Sequence, residues 1–379
     1  MFGSSSLKSL LIISGVVLTL SYLFNTNFFT KFTKTAYPLA HNSSFIDQSS
    51  STVSSIVNST MTSVPPVYFI SHGGPTFMFN DDFGGNTGCF QAIKRIGKDI
   101  KNKIKPKYII IITGHWESRS SDLFEVGVPD LLTSSSVDEK GGESSMGRRI
   151  ARNNAHYQKI DPNEHSLVYD FFGFPEKMYE QRFHVKGSSE IANKIQKQLT
   201  KDGLNAKTTS RGIDHGVWVP LKAGLSDGNI ITDSGEWDID CPLIQVSLAK
   251  SEDFDVHYKL GQSLAKFRDE GALIITSGSS VHNLRDIGYA MSSGKKALPY
   301  VTEFNSKLSE IVTKKSGVAA LEAFNLLKKQ DRALLYKAHP TLDHIMPIVV
   351  GVGASNAALA EELYTDASLS LGWNLYQWN

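Results

Sequence analysis

The sequence predicts an α/β fold: a single domain whose central, mostly parallel or mixed sheet is covered by helices on both faces. Three observations predict it. Short β-branched runs, VYFI ending at Ile70 and KYIIIIT ending at Thr113, alternate with stretches of helical period. The second run is apolar at every position from Ile109 to Ile112, as a central strand buried on both faces requires. Gly203 and Gly271 follow two of the helical stretches directly, where a helix commonly closes in the left-handed conformation.

Taken in chain order, the first element stands apart from the rest. Ser9 to Thr30 carries no charge, and SLLIISGVVLTLSYLF within it approaches the roughly 20 apolar residues that cross a bilayer. Residues 1–30 are expected to be a single-pass membrane anchor; a cleaved targeting segment is the alternative, because the strictly apolar part is short. Lys8 on one side and Lys31 with Lys34 on the other give no orientation, and the sequons at Asn42 and Asn58 matter only on a luminal side. Residues 31–64 read as a serine- and threonine-rich tether, and 65–379 as the folded domain.

Within that domain a strand ends at Ile70 and a helix follows over 88–104, with Phe90, Ile93, Ile96, Ile100 and Ile104 on one face. The KYIIIIT strand comes next, then a polar stretch over 131–165 long enough to be a surface insertion. Helices at 188–202 and 253–270 and strands at 206–210, 243–249 and 273–276 complete the pattern.

Composition narrows the function. Of 379 residues, 41% are hydrophobic and 20% charged, the mixture of a folded globular protein. Lysine and arginine total 39 against 38 acidic residues, so nothing in the charge predicts nucleic-acid binding. The two cysteines, Cys89 and Cys241, have no CxxC spacing and support neither a disulfide framework nor a thiolate metal site.

The histidines are more informative. His72 lies two residues beyond VYFI, His115 two beyond IIIIT, and His282 a few beyond LIITS. In open α/β sheets the groups just past the carboxyl ends of the strands converge on one crevice, so each of the three is a candidate metal ligand. Small residues surround them, in Ser71-His72-Gly73-Gly74, Gly114-His115 and Gly278-Ser279-Ser280, and permit close backbone approach to a bound group. An imidazole-rich site without thiolates suits zinc or iron. His215, in the glycine-flanked Asp214-His215-Gly216-Val217-Trp218, is the candidate proton-transfer group. His344 follows Thr341, which could cap a helix running through IMPIVVGVG, and is a candidate fourth ligand. His41, His156, His165 and His257 are expected outside the site, with His257 facing solvent; His184 and His339 are minor candidates.

Taken together, these motifs resemble the class III extradiol ring-cleaving dioxygenases, in their 4,5-DOPA extradiol dioxygenase branch. The matching segments are ISHGGPT at 70–76, GHWES at 114–118, YDFFGFP at 169–175, DHGVWVPL at 214–221, GSSVHNLR at 278–285 and the helix opening at His344, with SLSLG at 368–372 fitting the family's last strand. The resemblance implies one divalent metal per chain, zinc or non-haem Fe(II), bound by His72, His115, His282 and His344, with His215 as the acid/base histidine. It also implies a small aromatic diol of the DOPA type as substrate, dioxygen as co-substrate, ring opening beside the diol, and by analogy a homodimer.

Three rival readings remain. A zinc-dependent hydrolase would use the same histidines, and a non-enzymatic binding protein would keep the pocket without turnover. A serine hydrolase is suggested by Gly224-Leu225-Ser226-Asp227-Gly228, but a nucleophile elbow needs a strand before the serine, whereas here the residues after it, NIIT, read as the strand.

Overall fold

The computed structural model describes residues 64–80, 85–130, 159–227 and 230–379. The expected anchor, the sequons, the tether up to residue 63 and most of the expected insertion (131–158) lie outside the described residues. Among the described residues no helix is long and apolar enough to cross a membrane.

The unit Val64–Asn379 opens with β1 (Val67–Ser71), α1 (Thr87–Asp99), β2 (Tyr108–Glu117) and β3 (Leu123–Val128). Next come α2 (Ser189–Lys201), β4 (Asn205–Ser210), α3 (His215–Leu225), β5 (Leu243–Leu248), α4 (Phe254–Ala265) and β6 (Ala272–Gly278). The chain continues through β7 (Val281–His282), α5 (Ile287–Ser292), α6 (Pro299–Lys314), α7 (Gly317–Gln330), α8 (Arg332–Ala338) and α9 (Met346–Ala354). It closes with β8 (Glu361–Tyr364), β9 (Ala367–Ser368), β10 (Leu371–Gly372) and β11 (Leu375–Trp378).

Eight of these strands form one mixed sheet in the order β4-β3-β5-β2-β6-β1-β11-β8. Its centre, β5-β2-β6-β1, is parallel, while β3 and β11 run antiparallel to the strands they flank. The unbroken apolar run of β2 has the predicted cause. Ile110 and Ile112 pack into one core with α2, α4 and α6 to α9, whereas Ile109 and Ile111 pack into a second core with α1 and α3. Both faces are therefore covered, and the parallel strands present their carboxyl ends along one edge.

Three of the four ends predicted for the helices over 188–202 and 253–270 hold, but the second helix stops at Ala265 and a separate 3-10 turn over Arg268–Glu270 precedes Gly271. Ser188 accepts from the backbone N–H of Ile191 and Asp253 from that of Asp255, and Gly203 and Gly271 take φ of +77° and +94°. The helix expected over 88–104 leaves regular α geometry after Asp99, in a wider turn over Ile100–Ile104 that ends at Lys105 with φ +46°.

Three expectations need correction. NIIT is not a strand: 230–234 is irregular, and Thr232 O is held instead by the Arg182 N–H at 2.8 Å and the Lys222 ammonium at 3.2 Å. The segment 368–372 is not the last strand. It splits between β9 and β10, which with β7 form a separate three-stranded sheet, and β11 closes the chain. The end of the polar 131–165 stretch is packed rather than superficial: Glu164 and His165 are fully buried, and His165 Nε2–H donates to Leu243 O at 2.9 Å.

α9 bears directly on the site. All nine of its residues are buried, as a helix apolar on every side must be. It crosses α4 at contact distance through two glycines. A Cβ on Gly353 would lie 2.1 Å from Tyr258 O, and one on Gly261 would lie 2.1 Å from Val350 O. α9 begins directly after the turn that carries His344.

Candidate metal centre

His72 follows the last residue of β1, and His115 occupies the carboxyl end of β2. His282 lies in β7, just beyond β6, and His344 is in the turn before α9. The carboxyl ends of the parallel strands and the turn before α9 therefore bring these histidines close together. His72, His115 and His344 form an all-histidine trio whose ligand nitrogens lie within 4.8 Å of one another. His72 Nε2 is 2.9 Å from His115 Nε2, and His344 Nε2 is 3.2 Å from the same atom. His282 lies beside this trio, its ring stacked on His344 at 3.6 Å between centroids and 8° between planes, and it groups with Asp343 and His344.

Hydrogen bonding on the far side of each ring decides what the near side presents. Ser277 Oγ gives its only proton to Gly216 O at 2.7 Å, so it must accept from His72 Nδ1–H at 2.9 Å. His115 Nδ1 faces the Asp170 carboxylate at 3.1 Å, and a carboxylate only accepts. In neutral rings both Nε2 atoms are then unprotonated, and their lone pairs face each other across 2.9 Å. Such a pair repels unless a cation lies between.

With metal–nitrogen bonds of about 2.0–2.1 Å, two ligands of a tetrahedral ion stand about 3.3 Å apart, close to the spacing observed. The donor set therefore fits a divalent metal. The outer contacts to Ser277 and Asp170 are of the kind that orient ligating imidazoles.

Electrostatics set His115 apart from the other four rings. Burial, and then the neighbouring imidazoles, push the pKa of His72 and His282 well below the ordinary histidine value. His344 and His215 are lowered in the same direction, burial being the largest cause for each. Of these five rings only His115 is raised: burial, the largest single effect, lowers it, but the hydrogen bond and charge of Asp170, with the charges of Asp214 and Asp343, act the other way and prevail. The ring of Asp343 contacts is looser: its Oδ1 is 3.1 Å from His344 Nδ1 and accepts from the backbone N–H of His344 at 2.9 Å.

His215 is not in a loop, as its flanking glycines suggest, but is the first residue of α3. Asp214 caps that helix by accepting from the Gly216 N–H at 3.1 Å, and is itself held by Thr113, Arg211 and Gln245. The helix is hidden in the sequence because it is buried on every side and carries Pro220 in its interior. The His215 ring lies 4.0 Å from that of His115, centroid to centroid, and its Nδ1 donates to Asp170 Oδ1 at 2.7 Å. Phe171 meets it edge-on at 5.8 Å, and Phe174 packs against Phe171 at 5.6 Å. The His215 ring thus has an aromatic wall beside it.

Thr341 does not cap α9; its hydroxyl donates to Asp343 Oδ1, and α9 begins only at Met346. His344 is fixed instead by the loop after β6, where the Ser279 N–H donates to His344 O at 3.2 Å. The small residues near the histidines serve this packing. A Cβ on Gly278 would lie 2.2 Å from His344 O, and one on Gly114 would meet His344 Cα and Cγ at 3.1 Å. Gly278→Ala is expected to destabilise the fold by about 1–3 kcal/mol and to weaken metal binding by displacing His344, as thermal melting and metal titration would show.

The other histidines serve the fold. His184 is buried between Glu164 at 2.6 Å and Asp233 at 2.9 Å, and His339 bonds Ser280 O at 2.9 Å. His257 is fully buried rather than solvent-facing, its Nδ1–H donating to Asp253 O at 2.7 Å. His41 and His156 lie outside the described residues. Ser226 merely ends α3, its hydroxyl donating to Ala223 O at 3.1 Å with no strand before it, which removes the nucleophile elbow. Asp170 is the site residue that motif reasoning missed as a functional group. The signal was a single carboxylate in the aromatic run from Tyr169 to Phe174.

Comparison with known proteins agrees with this geometry. The sequence pattern of the catalytic LigB subunit of aromatic ring-opening dioxygenase matches residues 66–370. The chain belongs to this family. It is 31% identical over 306 residues to a Beta vulgaris protein named 4,5-DOPA dioxygenase extradiol, covering 79% of this chain and 90% of that one. It is 30% identical over 335 residues to a 4,5-DOPA dioxygenase extradiol-like protein of Schizosaccharomyces pombe, covering 83% and 96%. A dioxygenase of Hapsidospora irregularis is 27% identical, covering 84% and 87%.

Among solved structures, that of an uncharacterized Escherichia coli K12 protein superposes with a TM-score of 0.56 at 20% identity, covering 83% of this chain and all of the other, a likeness of fold alone. As a member of this family of metal-dependent enzymes, the LigB-type chain is an aromatic ring-cleaving dioxygenase of the extradiol kind, and its histidine cluster is suited to a metal.

Proposed function

We propose that this LigB-family chain opens a catechol bearing a DOPA-like side chain, with one divalent metal held by His72, His115 and His344, His282 as a further ligand, and His215 as the acid/base residue. The observation that carries the reading is the convergence of three Nε2 atoms beside the His215 ring. A metal ion at such a centre acidifies a coordinated hydroxyl and aligns two reactants, and Fe(II), unlike zinc, also offers an electron route to dioxygen.

The protein's own groups account for the rest. His215, held neutral by burial and with its Nδ1–H engaged by Asp170, has a free Nε2 to take a proton from the diol and return it after the ring opens. Phe171 and Phe174 give a planar ring an apolar surface to lie against. Extradiol cleavage breaks the carbon–carbon bond beside the diol and places both atoms of dioxygen in the product. The relatives named for 4,5-DOPA cleavage support the finer assignment of substrate.

The full chain, prepared anaerobically with Fe(II) or with zinc and given DOPA and simple catechols, tests this reading. The Fe(II) form is expected to consume oxygen and release a yellow ring-opened product. Turnover of simple catechols but not DOPA would refute the substrate assignment. Neither signal across the panel, with ester or amide hydrolysis by the zinc form, would refute the chemistry.

A further inference from the structure

Asp170 touches two rings of the site at once. Its Oδ2 is 3.1 Å from His115 Nδ1, while its Oδ1 accepts from His215 Nδ1 at 2.7 Å and from the His215 backbone N–H at 3.1 Å. An ionised carboxylate has no proton to give, so both Nδ1 atoms must carry one, and in neutral rings both Nε2 atoms are left bare. The second-best placed acceptors do less: Ser277 sets the tautomer of His72 only, and Asp343 contacts His344 off line.

We propose that Asp170 is a positioning residue that sets the metal-facing nitrogen of His115 and the proton-accepting nitrogen of His215 together, with one carboxylate. This inference rests on the reading of these histidines as a metal centre with its proton carrier. The shared carboxylate also contacts both rings, which stand 4.0 Å apart, so a substrate oxygen held next to His115 would be within reach of His215 as proton acceptor. Asp170 acts only through the rings and is not itself a catalytic residue.

Asp170→Asn separates this role from simple packing, because it keeps the shape and loses one acceptor. Two donors of His215 converge on Oδ1, so the amide oxygen settles there and the amide NH2 turns to His115. His115 must then accept at Nδ1 and carry its proton on Nε2, where a metal ligand needs a lone pair. The full-length variant is expected to bind zinc about 10–100-fold more weakly in chelator competition, with its circular dichroism unchanged.

Nitrogen-15 spectra of the zinc-loaded wild-type chain provide a second readout that needs no variant. They are expected to show Nδ1–H for both His115 and His215. A proton on Nε2 of either ring overturns the proposal, as does unchanged zinc affinity in D170N. Failure of the wild-type chain to open any catechol, with zinc affinity still lost in D170N, would instead sink the dioxygenase reading and leave the role of Asp170 standing.

Discussion

His115→Ala is expected to abolish stoichiometric metal binding and to reduce ring cleavage to background. His115 stands at the centre of the cluster, 2.9 Å from the ligand nitrogen of His72 and 3.2 Å from that of His344, with its ring beside His215 and its far nitrogen on Asp170. No other residue in the trio makes both of these nitrogen contacts.

The same substitution has a second, less obvious consequence. In metal-free protein it removes one of two opposed lone pairs, which offsets part of the packing lost with the ring. The stability difference should therefore appear mainly when metal is present. Zinc at a hundredfold excess over its Kd stabilises a binding protein by about 2.7 kcal/mol, and the variant is expected to lose that increment. Elemental analysis of the purified chains, with melting curves taken with and without zinc, checks both parts. Retention of stoichiometric metal by the variant would refute the proposed ligand set.

His215→Ala is expected to have the opposite signature. The metal stays, because the trio is untouched, while turnover falls by about 10²–10⁴-fold, the usual contribution of a positioned acid/base group. The ring sits at a helix N-terminus and beside His115, and both disfavour a resident positive charge, which keeps it ready to accept a proton. Metal content measured alongside steady-state rates distinguishes the cases. Loss of metal with His215→Ala would move this residue into the ligand set.

Much of the fold was legible because it rests on local pattern. The all-apolar β2 demanded helices on both faces, and Ser188, Asp253, Gly203 and Gly271 marked helix ends through caps that act over a few residues. Elements whose stability comes from burial on every side were harder to see. α3, with Pro220 inside it, shows no amphipathic period, and His257 points into the core from a helix that reads as surface. β3 pairs with β4 and β5 although Glu125 and Gly127 interrupt its apolar pattern.

The candidate site divides along the same line. The sequence determined that His72, His115 and His282 follow strands, because strand runs and their ends are written in contiguous residues, and strand ends in an open sheet share one edge. Tertiary structure alone decided the rest. It brought His344 to the centre through the close approach of Gly278 and Gly114, stacked His282 against it, and put Asp170 between His115 and His215. Those placements join residues dozens to hundreds of positions apart, and which nitrogen of an imidazole is left bare depends on the partner at its other side. No period or motif encodes that partner; packing selects it.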